Sequence, residues 1–394
     1  MEQLEENQIS VVDATPSVDI GRGGFLVIGA GKMGVAVISD LIGSDTGQLI
    51  TVMDTNKHSL VKIMQTFDDV ECKDGNITAN ELVGVMRQHK VVIGCTSYTD
   101  NVHFSKLAIR AGCHYLDLGG NMNVVKEQKT LHEEAKKADV CIIPNCGLAP
   151  GLANVIAAGA AQEFSKLESI KIRVGGLPEY PIPPLNYQLL FSAEGLINEY
   201  MGSSEIIREG EWEQAPSLTG LEDCKKFPFT FLSADPRLEA FHTSGGTSWL
   251  PYMFKGKIKD LDYKTIRYKG HCEQMNTMFE KYKDRGLLAE ALADMIIGKG
   301  PDVTLVRISV IGEINSKRTM IEYECIDYAK EFSSMMRMTG YPTSIIAQMV
   351  NSEIFYRGVY TPEECVPYTR DLFGKFMEKL EVRGIEFKKS VVQL

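Results

Sequence analysis

Short apolar runs alternate with helix-patterned stretches through the first third of the chain. The runs are Phe25–Ile28, Leu49–Asp54, a weaker one at Val70–Cys72, Val91–Cys95, Tyr115–Leu118 and Val140–Ile143. Apolar runs without alternation suit strands buried on both faces, the usual state of a parallel sheet. Between them, Met33–Leu41, Asn80–Gln88, His103–Ala111 and Val125–Ala138 read as helices, and Gly112 falls at an expected C-cap. This alternation predicts an α/β unit over residues 23–150, built on a doubly wound parallel sheet.

The pattern changes after the turn Asn145-Cys-Gly-Leu-Ala-Pro-Gly151. A small-residue helix, Leu152–Phe164, is followed by a strand-like run, Ile170–Pro178, and by a Pro-rich stretch at 181–184. Alternating runs at Thr304–Gly312 and Thr319–Ile326 predict a mixed or antiparallel sheet. A second, α+β domain is therefore expected over 151–330. The tail, 331–394, reads as helix, with Ser344–Asn351 and Pro362–Glu378 clearest. Residues 1–22 are polar and read as a flexible lead.

Length and charge narrow the function. The 394 residues leave room for two domains. A formal charge of −10 argues against nucleic acid or an anionic membrane as the main partner. No apolar run is long enough to span a bilayer, and the acidic N-terminus lacks the regions of a signal peptide, so a cytoplasmic protein is expected. The nine cysteines are scattered without a C-x-x-C pair, and the seven histidines form no H-E-x-x-H. Free thiols and no metal are the expectation.

The first strand and helix flank Gly29, Gly31 and Gly34 in G-x-G-x-x-G spacing, and Asp54 closes the next apolar run. These glycines suit a tight turn, close approach of a pyrophosphate, and close helix packing. The helix N-terminus offers N–H groups to phosphates. An acid at Asp54 suits the ribose hydroxyls of NAD and repels the 2′-phosphate of NADP. The expected unit is thus a Rossmann-type domain holding NAD. Ligands of such sheets lie beyond the strand C-termini, which adds Lys32, Met33, Thr96, Ser97, Tyr98 and, as a small wall residue, Cys146 to the cofactor set.

Several longer stretches then resemble one family, the lysine dehydrogenase and saccharopine dehydrogenase group. They are Cys146-Gly-Leu-Ala-Pro-Gly151, Val174-Gly-Gly-Leu-Pro178, Tyr187 with Phe191–Ile197, Leu238–Gly246, Lys264–His271 and Gly340–Gln348. With the glycine fingerprint, the resemblance runs from about Gly24 to about Glu364. It implies a substrate domain inserted before C-terminal helices that rejoin the nucleotide domain, and a homodimer built through that substrate domain. It also implies oxidation of the ε-amine of L-lysine with NAD, giving a semialdehyde that cyclises to piperideine-6-carboxylate. Two positions depart from the group's usual pattern: Asn145 stands where an aspartate is common, and Thr243-Ser-Gly-Gly replaces Thr-Asp-Gly-Leu. A saccharopine or carboxyspermidine-type dehydrogenase, acting on a secondary amine, is the alternative enzyme. A non-catalytic NAD-sensing regulator is the alternative from another class.

Amine oxidation needs a base, because an ammonium with a pKa near 10.4 has no lone pair to push out a hydride. Asp117, Glu194 and His242 are the candidates. Asp117 ends a predicted strand and could equally cap a turn. Glu194 sits at a predicted helix start, where an acid also favours the dipole. His242 neighbours glycines that would admit a ligand, or is a hydrogen-bonded structural histidine. For substrate binding, Arg267 offers a planar fork for a carboxylate. His271 and Tyr187 join it on the strength of the resemblance.

Overall fold

The computed structural model describes residues 23–44, 47–224, 227, 237–296, 300–352, 355–368 and 370–394. The polar lead at 1–22 lies outside them. Six strands follow the apolar runs closely: β1 (Phe25–Ile28), β2 (Ile50–Asp54), β3 (Glu71–Asp74), β4 (Val91–Gly94), β5 (His114–Asp117) and β6 (Cys141–Ile143). They pair in parallel in the order β6-β5-β4-β1-β2-β3. The central strands β1 and β4 are buried at every position, as unbroken apolar tetrads require. The expected α/β, doubly wound architecture is present.

The second sheet is built from β7 (Lys166–Pro178), β8 (Ser203–Arg208), β9 (Glu211–Pro216), β10 (Glu222–Asp223), β11 (Leu238–Phe241), β12 (Asp260–Tyr268), β13 (Asp302–Ile314) and β14 (Lys317–Tyr328). Only β7 and β12 pair in parallel among these strands, so the sheet is mixed. The β13–β14 hairpin turns through Asn315 and Ser316, both at positive φ. Two such residues in succession give the turn whose twist matches the flanking strands.

The tail differs from its all-helical reading. It contributes β15 (Gly358–Val359), a seventh parallel strand beside β6, and β16 (Lys388–Gln393), which pairs with β14 at the edge of the second sheet. Between these lies the helix Arg370–Val382, and before them the helix Ser334–Asn351 packs against Lys32–Gly43. An ion pair from Arg383 to the nearly buried Asp40 (2.6 Å) ties the tail to that first helix.

The helix Leu152–Ala161 is buried at all of its positions. Asn154 accepts from the Gly151 N–H and donates to the Gly246 carbonyl, the helix's other residues are apolar or glycine, and a helix apolar on nearly every side must be covered on every side. Its small residues let one apolar core run from the parallel sheet, through Val27 and Ile93, to Ile172 and Ile308 of the second sheet. The two sheets therefore meet over a shared core, with a cleft opening beside it. Among the described residues, no helix is long and apolar enough to cross a membrane, and no group of His, Cys, Asp and Glu is arranged to hold a metal.

Candidate active site

The glycine loop divides its work as the spacing requires. Gly29 has φ +107°, a conformation that L side chains rarely adopt. A Cβ at Gly34 would overlap the Gly29 carbonyl, so the helix start can lie this close to the strand end only without one. At Gly31 a Cβ would meet nothing within 4 Å, and the residue lines the cleft. No side chain caps the helix Lys32–Gly43, which leaves its first-turn N–H groups for an anion. The space over Gly31 and this uncapped helix start fit a dinucleotide pyrophosphate. Asp54 supports the loop directly: its carboxylate accepts from the Ala30 N–H (2.6 Å) and from the Asn56 N–H (2.7 Å).

A cavity of about 570 Å³ opens beyond the loop, between the two sheets. Gly31, Lys32, Met33, Thr96, Ser97 and Tyr98 line its nucleotide side. Its far wall comes from two patterned elements. On β12, Tyr263, Thr265 and Arg267 alternate onto the cleft face, as a strand period of two dictates. On the helix Ala193–Tyr200, Glu194, Gly195, Asn198 and Glu199 form a polar stripe along the cleft, while Leu196, Ile197 and Tyr200 pack into a separate core. Ser192 caps this helix by accepting from the Gly195 N–H (3.0 Å). The Asn198 side chain donates to the Gly120 carbonyl (2.7 Å), joining the substrate-side helix to a loop of the parallel sheet.

The five expected substrate and base residues from the second domain, Tyr187, Glu194, His242, Arg267 and His271, separate in position. Arg267 lines the cleft from a buried side chain. Its Nε donates to the Tyr200 hydroxyl (2.8 Å), Nη1 to the Ile266 carbonyl (2.9 Å), and Nη2 to both Glu199 oxygens (3.3 Å each). Tyr187 and Tyr200 stack against the guanidinium with their rings 4.7 and 5.7 Å away. His271 lies behind this group, with Nε2 2.9 Å from the Tyr200 hydroxyl and Nδ1 2.8 Å from the Leu185 carbonyl. Burial, and then the Arg267 charge, push its pKa down to about 3, so its ring is neutral at physiological pH. His242 is buried with Nδ1 against the Tyr263 carbonyl (3.2 Å), and burial lowers its pKa too. Neither histidine, nor Tyr187, is among the residues that line the cleft.

Asp117 is also withdrawn from the cavity lining. It is fully buried at the end of β5, where Oδ1 accepts from the Gly119 (2.8 Å) and Asn145 (3.2 Å) N–H groups and Oδ2 from Gln128 (2.7 Å). It caps the turns leaving two strands, and burial raises its pKa to about 6. Cys146 is fully buried, its thiol on the Ile143 carbonyl (3.2 Å) and its pKa pushed well up by burial; the adjacent Gly147 is the residue on the wall. Asn145 adopts φ +67° and donates through Nδ2 to Ser248 (2.9 Å). Glu194 is exposed at the cleft. Glu199, Asn198, Thr265 and Tyr263 were not among the expected site residues. The polar stripe of the Ala193–Tyr200 helix was the available signal for Asn198 and Glu199, since with Glu194 they share one face.

Known proteins share this layout. Residues 25–143 match the family model of the saccharopine dehydrogenase NADP binding domain, and residues 147–385 match that of the saccharopine dehydrogenase C-terminal domain. Among solved structures, the saccharopine dehydrogenase (L-Glu forming) of Saccharomyces cerevisiae is 18% identical with a TM-score of 0.73, over 94% of this chain and 100% of that one. A probable dehydrogenase from Thermotoga maritima is 13% identical with a TM-score of 0.40, over 94% and 98% of the two chains. GenD2 from gentamicin A biosynthesis, in complex with NAD, is 12% identical with a TM-score of 0.40, over 98% and 99%. Matched across both of its sheets, the chain belongs to the saccharopine dehydrogenase family and is an oxidoreductase of amine donors that uses a nicotinamide dinucleotide.

Proposed function

We propose that the chain oxidises the ε-amine of L-lysine with NAD, releasing ammonia and the semialdehyde that cyclises to piperideine-6-carboxylate. The observation that carries this reading is the charge count of the cleft. Among the described lining residues, the cations are Lys32, on the nucleotide loop, and Arg267; the acids are Glu194 and Glu199. A substrate with one carboxylate finds one arginine there. Saccharopine and its like carry further carboxylates, and each would need a cation of its own to leave water. The other arginines considered stand elsewhere. Arg173 is buried against Glu222 and Asp262, Arg208 pairs with Glu213, and Arg237 is exposed away from the lining.

Asp54 supports NAD over NADP, because a carboxylate beside the ribose site repels a 2′-phosphate. The nicotinamide, when bound, accepts the hydride from the carbon bearing the amine. The protein's residues must prepare that carbon: take a proton from the ammonium, and hold a water for attack on the iminium. Of the three candidate bases, Glu194 is the one on the cleft, which supports it as the proton acceptor. Asp117 supports the site from behind, by holding the Gly119 and Asn145 backbones. The same proposal includes a homodimer formed through the second sheet, which light scattering would test.

The deciding assay is NADH formation with L-lysine, with saccharopine and with no amine. Reduction with lysine at least tenfold more efficient than with saccharopine is expected. The reverse order refutes the lysine assignment.

A further inference from the structure

We propose that Glu199 recognises the α-ammonium of the substrate while Arg267 takes its α-carboxylate, so that the cleft selects α-amino acids over simple amines and ω-amino acids. The assignment rests on the lysine-type reading above and names the residue that would make it specific.

Glu199 lies in the last turn of the helix Ala193–Tyr200, with its side chain 18% exposed and on the cleft. Thr265 donates a hydroxyl to Oε1 at 2.7 Å. The Arg267 contacts, at 3.3 Å to both oxygens, are longer than the 2.7–2.9 Å of a well-formed charge-assisted bond. The fully engaged pair in the same sheet, Arg173 with Asp262, is closer at 2.8 and 3.1 Å. Glu199 and Arg267 thus sit side by side without saturating one another. A carboxylate accepts at about four lone-pair sites and a guanidinium has five N–H groups. Both retain capacity toward the cavity that each of them lines.

Arg267 is in turn fixed from every other side. Its side chain is 4% exposed, stacked by two tyrosines and bonded to Tyr200 and to the Ile266 carbonyl. A rigid cation next to a partly open carboxylate is complementary to the zwitterionic head of an α-amino acid, in which the opposite charges are also neighbours. An ammonium entering this site without a carboxylate partner would lose its hydration uncompensated. Helix geometry supports the division of roles between the two acids. Glu194 and Glu199 are five residues apart, about 7.5 Å along the helix axis at 1.5 Å per residue. That is comparable to the extended span between the two nitrogens of lysine, so one helix offers an acid to each end.

The test is kcat/KM of wild type and Glu199→Gln, at saturating NAD, with L-lysine and with 6-aminohexanoate, which lacks only the α-ammonium. Wild type should prefer lysine at least a hundredfold. Glu199→Gln should lose tenfold or more on lysine, chiefly in KM, and little on 6-aminohexanoate. Equal losses on the two substrates, or an unchanged KM for lysine, overturn the assignment while leaving the lysine reaction intact. Wild-type protein that forms no NADH with lysine overturns the reaction and this assignment together. If Glu199→Gln does not fold, the wild-type preference alone decides, and a ratio near one refutes the proposal.

Discussion

Replacing Asp117 by asparagine separates a buried cap from a catalytic base. The carboxylate has no exposure, and three N–H donors are not enough to offset the loss of water around its charge. Its pKa therefore stands near 6 against an ordinary 3.8. A raised carboxyl pKa means that the folded state prefers the protonated form. The stabilisation this provides is fully present below pH 3.8 and is lost as pH rises through about 6. The gap corresponds to about 3 kcal/mol, taken to order of magnitude. An amide at this position stays neutral and loses nothing over the same range. Gln128 can accommodate it, because its Oε1 is buried without a partner and a turn of the amide would let it accept from the new NH2. Urea denaturation of both proteins between pH 4 and 8 should show the stability of wild type, relative to Asp117→Asn, falling by about 3 kcal/mol across this window. A flat or rising difference refutes the buried-charge argument. The variant should also keep NADH formation with lysine within tenfold of wild type. A loss of a thousandfold in kcat, with NAD affinity intact, is the size expected for a general base and would restore Asp117 to the chemistry.

Two further predictions concern the nucleotide loop. Gly31→Ala should keep or slightly raise stability, by about 0.4–1 kcal/mol, while weakening NAD binding, because its φ of −74° suits alanine and the new methyl projects into the phosphate space. Gly34→Ala should instead destabilise by about 1–3 kcal/mol or more, since the clash is with backbone; thermal melts and NAD titrations that fail to separate the two variants would refute the division of roles. Asp54→Asn removes the charge and keeps one accepting oxygen of the two that now serve the Ala30 N–H at Oδ2 and the Asn56 N–H at Oδ1. The ratio of NADP to NAD affinity should rise at least tenfold, and an unchanged ratio would remove Asp54 as the selecting group.

What could be read from sequence depended on whether the governing contacts are local. The parallel strands are short apolar runs buried on both faces, and the glycine loop is a local turn, so both were legible. The helix Lys57–Thr66 was not read, because it buries only Leu60 and Ile63 and presents little apolar face. The two tail strands escaped for a stronger reason. Gly358–Val359 is two residues long, and Lys388–Gln393 is largely exposed. Each is a strand only because a distant neighbour, β6 or β14, supplies its hydrogen bonds. On the substrate side, Arg267 could be found from its chemistry, but Glu199 is 68 residues away in sequence, with β8, β9, β10, β11 and most of β12 between them. Nothing in that spacing announces the pair.

The histidines show how burial changes what residue type alone suggests. Histidine invites a catalytic reading because its free pKa lies near neutrality, yet that property belongs to a hydrated ring. His271 is sealed behind Tyr200 and beside the Arg267 cation, and both effects disfavour its charged form. A protonated ring there would place a second cation in the same buried cluster. A neutral ring instead bonds the Tyr200 hydroxyl, which in turn receives the Arg267 Nε–H. Tyr187, His271 and Arg267 do come together, as one stacked and hydrogen-bonded group, but only the arginine reaches the cavity. The other two hold its guanidinium at the cavity wall. Under the proposed assignment, loss of either should therefore act on substrate affinity through the arginine's position, with the charges of Arg267 and Glu199 left in place on the cleft.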